Sequence, residues 1–282
     1  MKINRNSKKL KSASFQVLIA VIASVFLLLA FIPIILMLIL SVKSNAQIYS
    51  DFWSLPRQLQ WSNYNKAIGM LIPNMINTMI VVSVATFLTT LLSANGGYVF
   101  AKLSFPGKNI LFFAILALMM VPGVLTLTPQ YTLMQTYGIY NTWWALILPW
   151  VSGGQVFGIL LCRTFMEELP TEVFESARID GCSELKALFK MAIPLSKPIL
   201  ATIVVMKMID YYNDFIWPLM AIESNSKQVI TVAIRVFQSA AGTVDIGSMV
   251  AGFVFATIPL LILFSGTSRL YMEGLTSGAV KG

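Results

Sequence analysis

Between two apolar stretches of membrane length lies a charged segment, Pro170-Thr-Glu-Val-Phe-Glu-Ser-Ala-Arg-Ile-Asp-Gly-Cys-Ser-Glu-Leu-Lys-Ala-Leu-Phe-Lys-Met-Ala-Ile-Pro194. Its pattern predicts two short amphipathic helices meeting at Gly181. The first takes Thr171 as N-cap after Pro170, carries glutamates in its opening turns, and sets Val173, Phe174 and Ala177 on one side. Gly181 follows where a left-handed C-terminal residue is wanted. Ser183 caps the second helix, in which Leu185, Leu188, Phe189 and Ala192 recur at i, i+3, i+4 and i+7 as an apolar stripe. Glu184, Lys186 and Lys190 face elsewhere, and Pro194 is expected to end the helix.

The flanks explain why such a pair is needed. The chain is 57% hydrophobic and 11% charged over 282 residues, with a mean hydropathy of +0.76, which is too apolar for a soluble domain and marks an all-α, polytopic membrane protein. Six stretches can span a bilayer: about 15–42, 75–101, 109–129, 142–162, 198–220 and 246–270. The reading is a basic N-terminus at 1–14, a first transmembrane helix at 15–42 and an external loop at 43–74. A five-helix core at 75–270 follows, containing the loop 170–194 between spans four and five, and then a tail at 271–282.

Net charge is +8, and its placement decides what it means. With both termini inside, the inner segments hold fourteen of the 20 Lys and Arg residues, among them Lys2, Arg5, Lys102, Arg163, Arg178 and Arg269. The outer segments hold only Lys43, Arg57, Lys66, Lys227 and Arg235, and Lys207 lies within a span. Basic charge here is a topological signal and not a nucleic-acid footprint. The apolar run from Phe15 to Val42 is about twice a signal-peptide core and reads as an anchor.

Several chemistries are excluded. Histidine is absent and there are two cysteines. Cys162 and Cys182 fall at or beyond the inner end of the fourth span without metal-ligand spacing, so no disulfide framework, metal site or catalytic residue is expected. A Gly-rich phosphate loop is also missing, so the chain is not expected to hydrolyse ATP.

Trp53, Pro56, Trp61, Tyr64 and Pro73 in the external loop suit the headgroup layer or a docked partner. Ser93, Gly96, Gly97 and Ala101 in the second span, and Gly154 and Gly158 in the fourth, let another helix approach closely. Pro122, Pro129, Pro149 and Pro259 interrupt apolar runs, which favours a transport pathway over a simple anchor bundle. No internal repeat is visible, against an inverted-repeat secondary transporter.

The segment 170–194 resembles the cytoplasmic coupling loop of ABC importer permeases, whose pattern is Glu-Ala-Ala, three residues, Gly, nine residues, Ile-x-Leu-Pro. Glu175, Ser176, Ala177, Gly181, Met191, Ile193 and Pro194 fall at that spacing, with Ser176, Met191 and Ile193 as departures of similar size. Any polytopic protein can carry an amphipathic helix pair in an inner loop, but that reading does not account for Glu, Gly and Pro at fixed offsets. Tyr212-Asn-Asp-Phe-Ile-Trp-Pro218 and the ending Gly274-Leu-Thr-Ser-Gly278-Ala-Val-Lys-Gly282 are similar to the maltose-type permeases of carbohydrate-uptake importers. The likeness covers the chain from about residue 70 onward.

The resemblance implies a permease subunit working beside a second permease, two ATPase subunits that hold ATP and Mg, and an external solute-binding protein, all in or on a bacterial-type inner or plasma membrane. The substrate it implies is a sugar or oligosaccharide; glycerol phosphate esters, polyamines and peptides are alternatives. Glu175, Ser176, Ala177, Asp180, Gly181, Ile193 and Pro194 would couple to the ATPase. Gly274, Gly278 and Gly282 would give an extended tail reaching between the ATPase chains.

In the fifth span, Lys207, Asp210, Tyr211 and Asp214 form one helical stripe at i, i+3, i+4 and i+7, continued by Trp217. A charge facing lipid costs about 2.5–3.5 kcal/mol, so the stripe should face protein or a cavity. Two readings stand. In one, Lys207 and Asp210 form an ion pair that merely satisfies both charges. In the other, Asn213 and Asp214 bond sugar hydroxyls or the partner permease, and Tyr211 or Trp217 offers a face to a sugar ring. The same charges are what an ion-coupled secondary transporter would need, although that class needs no docking loop. A non-transport membrane scaffold would explain the small-residue contacts but not the stripe.

Overall fold

The computed structural model describes residues 3–237 and 244–279. Among them the chain is helical, without a β-strand: α1 Ile3–Ser41, α2 Asn45–Ser50, α3 Ser62–Lys102, α4 Lys108–Ala117, α5 Gly123–Thr136, α6 Trp144–Glu167, α7 Thr171–Ile179, α8 Glu184–Ala187, α9 Ile193–Leu195, α10 Lys197–Asn213, α11 Ile216–Ala221, α12 Ile230–Ala233 and α13 Ile246–Ala279.

Among the described residues, four helices are each long and apolar enough to cross a membrane: α1 over Phe15–Ser41, α3, α6, and α13 over Ile246–Thr267. The remaining two predicted spans are not continuous helices. Lys108–Met120 meets α5 at 98°, and Glu184–Leu195 meets α10 at 80°, so the count reaches six only if each bent pair makes one crossing. The first bend has a simple cause. Val121, preceding Pro122, is driven into extended backbone with ψ 116, because proline clashes with a helical predecessor and offers no N–H of its own. Pro129, Pro149 and Pro259, expected to interrupt, lie inside helices instead. The predicted span 198–220 is also divided: Asp214 is extended with ψ 127, and the helix resumes at Ile216.

Two other boundaries differ from expectation. Helix α3 starts at Ser62, inside the predicted external loop, and carries Pro73 within it. Its 41 residues, at about 1.5 Å each, reach roughly 60 Å, about twice the apolar thickness of a bilayer. At the other end α13 runs on through Gly274 and Gly278 to Ala279, so the tail expected to be extended is helical there; Gly282 lies outside the described residues.

The chain divides into two compact units, residues 1–70 with 235–255, and residues 71–234 with 256–282. In the first, Lys43 is completely buried. Its ammonium donates to the carbonyls of Asp51 (3.0 Å) and Phe52 (2.9 Å) and to Ser54 Oγ (3.3 Å), so each of its three protons has an acceptor. Asn63 Nδ2 donates to Ser41 O and Lys43 O, tying the start of α3 to the turn after α1. Asp245 is bonded by Lys66, by Asn45 Nδ2 (3.0 Å) and by the backbone N–H of Ser248 (3.2 Å). Burial alone would raise its pKa, but these donors outweigh it and hold the carboxyl down at about 2.

In the second unit, α3 and α6 meet through their small residues, as the sequence predicts. A Cβ on Gly97 would lie 2.2 Å from Cys162 Cβ, and one on Gly158 would lie 2.0 Å from Ser93 Oγ. Neither position has room for a methyl group. Outside that seam, Asn74 and Asn77 donate to the carbonyls of Asn225, Ser226 and Gln228, closing the loop after α11 onto α3.

Candidate functional site

Two places in the second unit bring chemistry-bearing residues together: the charged loop, and a cleft beside α6. In the loop, α7 begins at Thr171 with Pro170 as N-cap and no side-chain cap bond, so Thr171 is the first helical residue and not the predicted cap. Gly181 has φ 78, the left-handed conformation expected of it. A Cβ there would meet nothing within 4 Å, so the requirement is conformational and not a matter of space. Ser183 caps α8 by accepting from Lys186 N at 3.4 Å. Helix α8 is short. It passes into a π turn at Leu188–Ala192 and on to α9, in which Pro194 occupies the first turn, so Pro194 does not end the helix as expected. The wider turn accommodates a proline that could not supply the next α-helical bond.

This register splits the predicted apolar stripe. Leu188 and Ala192 are buried with Ala187 and Phe174 in a core that includes Tyr98, Cys162 and Met166. Leu185, Phe189 and Ile179 stand out at 68%, 52% and 86% exposure. Glu175 and Asp180 are exposed, Ala177 is half-buried, and Ile193 packs partly against the core. Ser176 Oγ donates back to the carbonyls of Glu172 and Val173, which engages it within its own helix.

A clamp that sequence reading missed braces the loop to the membrane helix. Glu184 accepts from Tyr98 Oη at 2.6 Å and from Arg178 Nε at 2.7 Å. Arg178 Nη2 donates to Lys102 O at 3.2 Å, and Lys102 Nζ donates to Leu169 O at 2.7 Å while lying 5.1 Å from the centre of the Phe174 ring. Both helices of the loop are thereby joined to the end of α3. Tyr98 and Glu184 are far apart in sequence, and the only hint was a tyrosine near the end of an apolar span, where a polar tip seeks a partner.

The stripe on α10 also separates. Lys207 pairs with Asp210 at 2.9 Å, with Lys207 mostly buried and Asp210 55% exposed. Asn213 is exposed and donates to Ile209 O. Tyr211 is buried and stacks on Trp150, ring centres 5.2 Å apart and planes 7° from parallel; its hydroxyl donates to Trp150 O at 2.7 Å and contacts Thr89 Oγ1. Gly154 makes this possible, since a Cβ there would fall 1.9 Å from the Tyr211 hydroxyl. Tyr211 is thus a packing residue in this chain, with one face covered by indole. Trp217 is also buried and donates Nε1–H to Ala145 O at 2.9 Å.

Asp214 is different. Its Oδ2 accepts from Trp150 Nε1 at 2.7 Å and its Oδ1 from Trp217 N at 3.3 Å, and it lines a cleft of about 430 Å³. Gly123, Leu127 and Gln130 of α5 line the same cleft, together with Trp150 of α6 and Trp217 of α11. The 98° bend carries α5 to this position, and α5 packs on α11. Trp150 and Gln130 were missed because nothing in local spacing links them to α10.

Residues 93–272 match the model of the family described as binding-protein-dependent transport system inner membrane component. The probable ABC transporter permease protein YurM of Bacillus subtilis is 32% identical over 89% of this chain and 83% of its own length. The trehalose transport system permease protein SugB of Mycobacterium tuberculosis is 30% identical over 90% of this chain and 93% of its own. In fold, the chain is similar to a chain of a bacterial ABC transporter involved in the import of the acidic polysaccharide alginate, with a TM-score of 0.81 at 22% identity, covering 92% of this chain and 97% of that one.

Proposed function

The chain belongs to the family of binding-protein-dependent transport system inner membrane components, and on that premise we propose that it is a permease subunit of an ATP-driven importer for a sugar or oligosaccharide. Relatives named for sugar transport support the substrate class. The observation that carries the coupling role is the loop 170–195. Its inner face is braced to α3 through Glu184, and its outer face presents Ile179, Leu185 and Phe189 unburied. An apolar knob on a rigid mount suits a cleft in a cytoplasmic partner and can transmit that partner's movement to the membrane helices.

In this reading two ATPase subunits bind ATP and Mg and hydrolyse the nucleotide, a second permease completes the pathway, and an external binding protein delivers the solute. The bias of basic residues toward one side supports a topology with both termini and the coupling loop in the cytoplasm. Closure of the ATPase pair pulls the two loops together and turns the pathway outward, and their separation returns it inward.

The test is uptake in proteoliposomes containing the purified complex. Accumulation should require internal-facing ATP and added binding protein, and Leu185→Asp should abolish it while the complex still inserts. Uptake that follows a membrane potential without ATP would overturn the assignment.

A further inference from the structure

The segment from Lys43 to Trp61 is folded inside out. Its polar side chains Lys43 and Gln47 are buried, whereas Tyr49, Phe52, Trp53, Leu55, Leu59 and Trp61 are exposed, Trp53 at 77%, Leu55 at 73% and Trp61 at 61%. The two buried side chains hold the loop from within. Lys43 bonds residues 51, 52 and 54, while Gln47 Nε2 donates to Leu55 O at 2.9 Å and to Ser54 Oγ at 3.1 Å, and Gln47 Oε1 accepts from Arg57 N at 3.1 Å. In water the stable arrangement is the reverse, since burying an ammonium and an amide while two indoles stay wet forgoes apolar burial. Beside lipid the preference inverts, because irregular backbone there needs partners inside the chain and apolar side chains belong on the outside.

The loop is also tied to the end of a lipid-facing helix. Gln60 N donates to Val42 O at 2.9 Å, and Asn63 Nδ2 donates to Ser41 O at 3.0 Å and Lys43 O at 2.9 Å. With the Lys43 bonds, these hold residues 51–63 against the turn that follows α1. Helix α1 is exposed at every residue from 15 to 35, and burial begins only with Leu40 in its last turn. The aromatic loop therefore sits at the level where an apolar helix surrounded by lipid ends. That is the depth Trp and Tyr favour, with the ring in the apolar boundary and its N–H or O–H among the headgroups.

We propose that residues 49–61 form a non-spanning anchor that rests in the phospholipid interface beside the C-terminal end of α1, with Trp53, Leu55 and Trp61 inserted between headgroups and acyl chains. Charge selects the kind of lipid surface. Asp51 and Arg57 are the only charged residues of the segment 44–61 and lie 3.8 Å apart, so the segment has no net charge. It offers no basic cluster to anionic headgroups, and its occupant is the neutral interface of a zwitterionic bilayer. Because Asn63 joins the start of α3 to the same turn, the anchor sets the depth of the end of α1 and the start of α3 together.

The experiment uses the full chain, purified with the subunits that accompany it and placed in phosphatidylcholine nanodiscs. A nitroxide label is carried at Leu55→Cys, and separately at Leu59→Cys, in a Cys182→Ser background, Cys162 being buried; a label at Val25→Cys in α1 is the lipid reference. Collision with oxygen, which partitions into lipid, is compared with collision with a water-soluble nickel chelate. The expected oxygen-to-nickel ratio at 55 and 59 is at least threefold above that of the free label in buffer, and is unchanged by phosphatidylglycerol or added salt. A ratio equal to that of the free label puts the loop in water and overturns the anchor. Poor access to both reagents means that protein covers the surface and overturns the lipid occupant. A ratio that rises only with phosphatidylglycerol overturns the neutral interface. Should the labels disturb the loop, Trp53→Phe preserves its apolar character. The emission lost in that variant should be blue-shifted and quenched by brominated phosphatidylcholine, and a red-shifted, unquenched loss overturns the anchor.

Discussion

If the chain works as the proposed importer subunit, Glu184 should control how much of an ATPase partner's movement reaches α3. Its bond to Tyr98 Oη, at 2.6 Å, has a charged acceptor and a donor residue only 2% exposed. Such bonds contribute about 1.5–3 kcal/mol, and the low end applies here because the carboxylate is partly solvated. The pair with Arg178 has side chains 37% and 43% exposed and adds at most about 1 kcal/mol. The clamp as a whole is therefore worth roughly 2–3 kcal/mol. Glu184→Gln keeps a neutral bond to Tyr98 and loses the charge, a cost of about 1 kcal/mol; Glu184→Leu strands the tyrosine hydroxyl and costs about 2–3 kcal/mol. A loosening of about 2 kcal/mol shifts the braced-to-unbraced ratio roughly thirtyfold. The assay is solute moved per ATP hydrolysed in proteoliposomes, alongside thermal unfolding of the complex. Glu184→Leu should waste ATP, with Glu184→Gln intermediate and Tyr98→Phe close to it. The Tyr98→Phe/Glu184→Gln cycle should show a coupling of about 0.5 kcal/mol or more. Wild-type stoichiometry in all three variants, with effects additive within about 0.3 kcal/mol, would refute the clamp.

At Gly181, Val should cost on the order of 1 kcal/mol or more locally and lower ATP-coupled uptake, whereas Asn, which tolerates the left-handed region and meets no steric obstacle there, should retain most of it. Equal uptake by both variants would remove the φ argument. Gly97→Ala drives a methyl group against Cys162 and should lower stability by about 1–3 kcal/mol; an unchanged melting temperature in detergent would show that the seam can open. For Asp245, a folded-state pKa of about 2 against an ordinary 3.8 amounts to about 2 kcal/mol. The sign is that of a depressed acid. The contribution is fully present above about pH 4 and is lost as pH falls through about 2. The stability difference between wild type and Asp245→Asn should therefore be constant from pH 5 to 8 and shrink below pH 4, which thermal melts at each pH would check.

Local pattern was informative wherever a single helix or turn carries its own reason. Gly181 is left-handed because the chain must leave one helix there before the next begins, and Ser183 caps because a helix start leaves unpaired N–H groups; neither depends on distant residues. The small residues of α3 and α6 announced a close seam because only such residues allow one. Prolines were less decisive. Pro122 breaks a helix while Pro129, Pro149 and Pro259 do not, because neighbouring helices can supply or spare the missing bond and periodicity does not reveal which ones do.

The sequence by itself determined an all-α polytopic chain, the place of its charged loop and the glycine at that loop's turn. These follow from transfer of apolar residues out of water and from backbone conformation, both local in origin. Only the tertiary structure decided what the charged and aromatic residues do. It placed Glu184 between Tyr98 and Arg178, covered Tyr211 with Trp150, paired Lys207 with Asp210, and bonded Asp214 to Trp150 and Trp217 at the edge of a cleft. A polar side chain's role depends on which donors, acceptors and rings lie within a few ångströms, and here those partners come from helices separated by tens of residues.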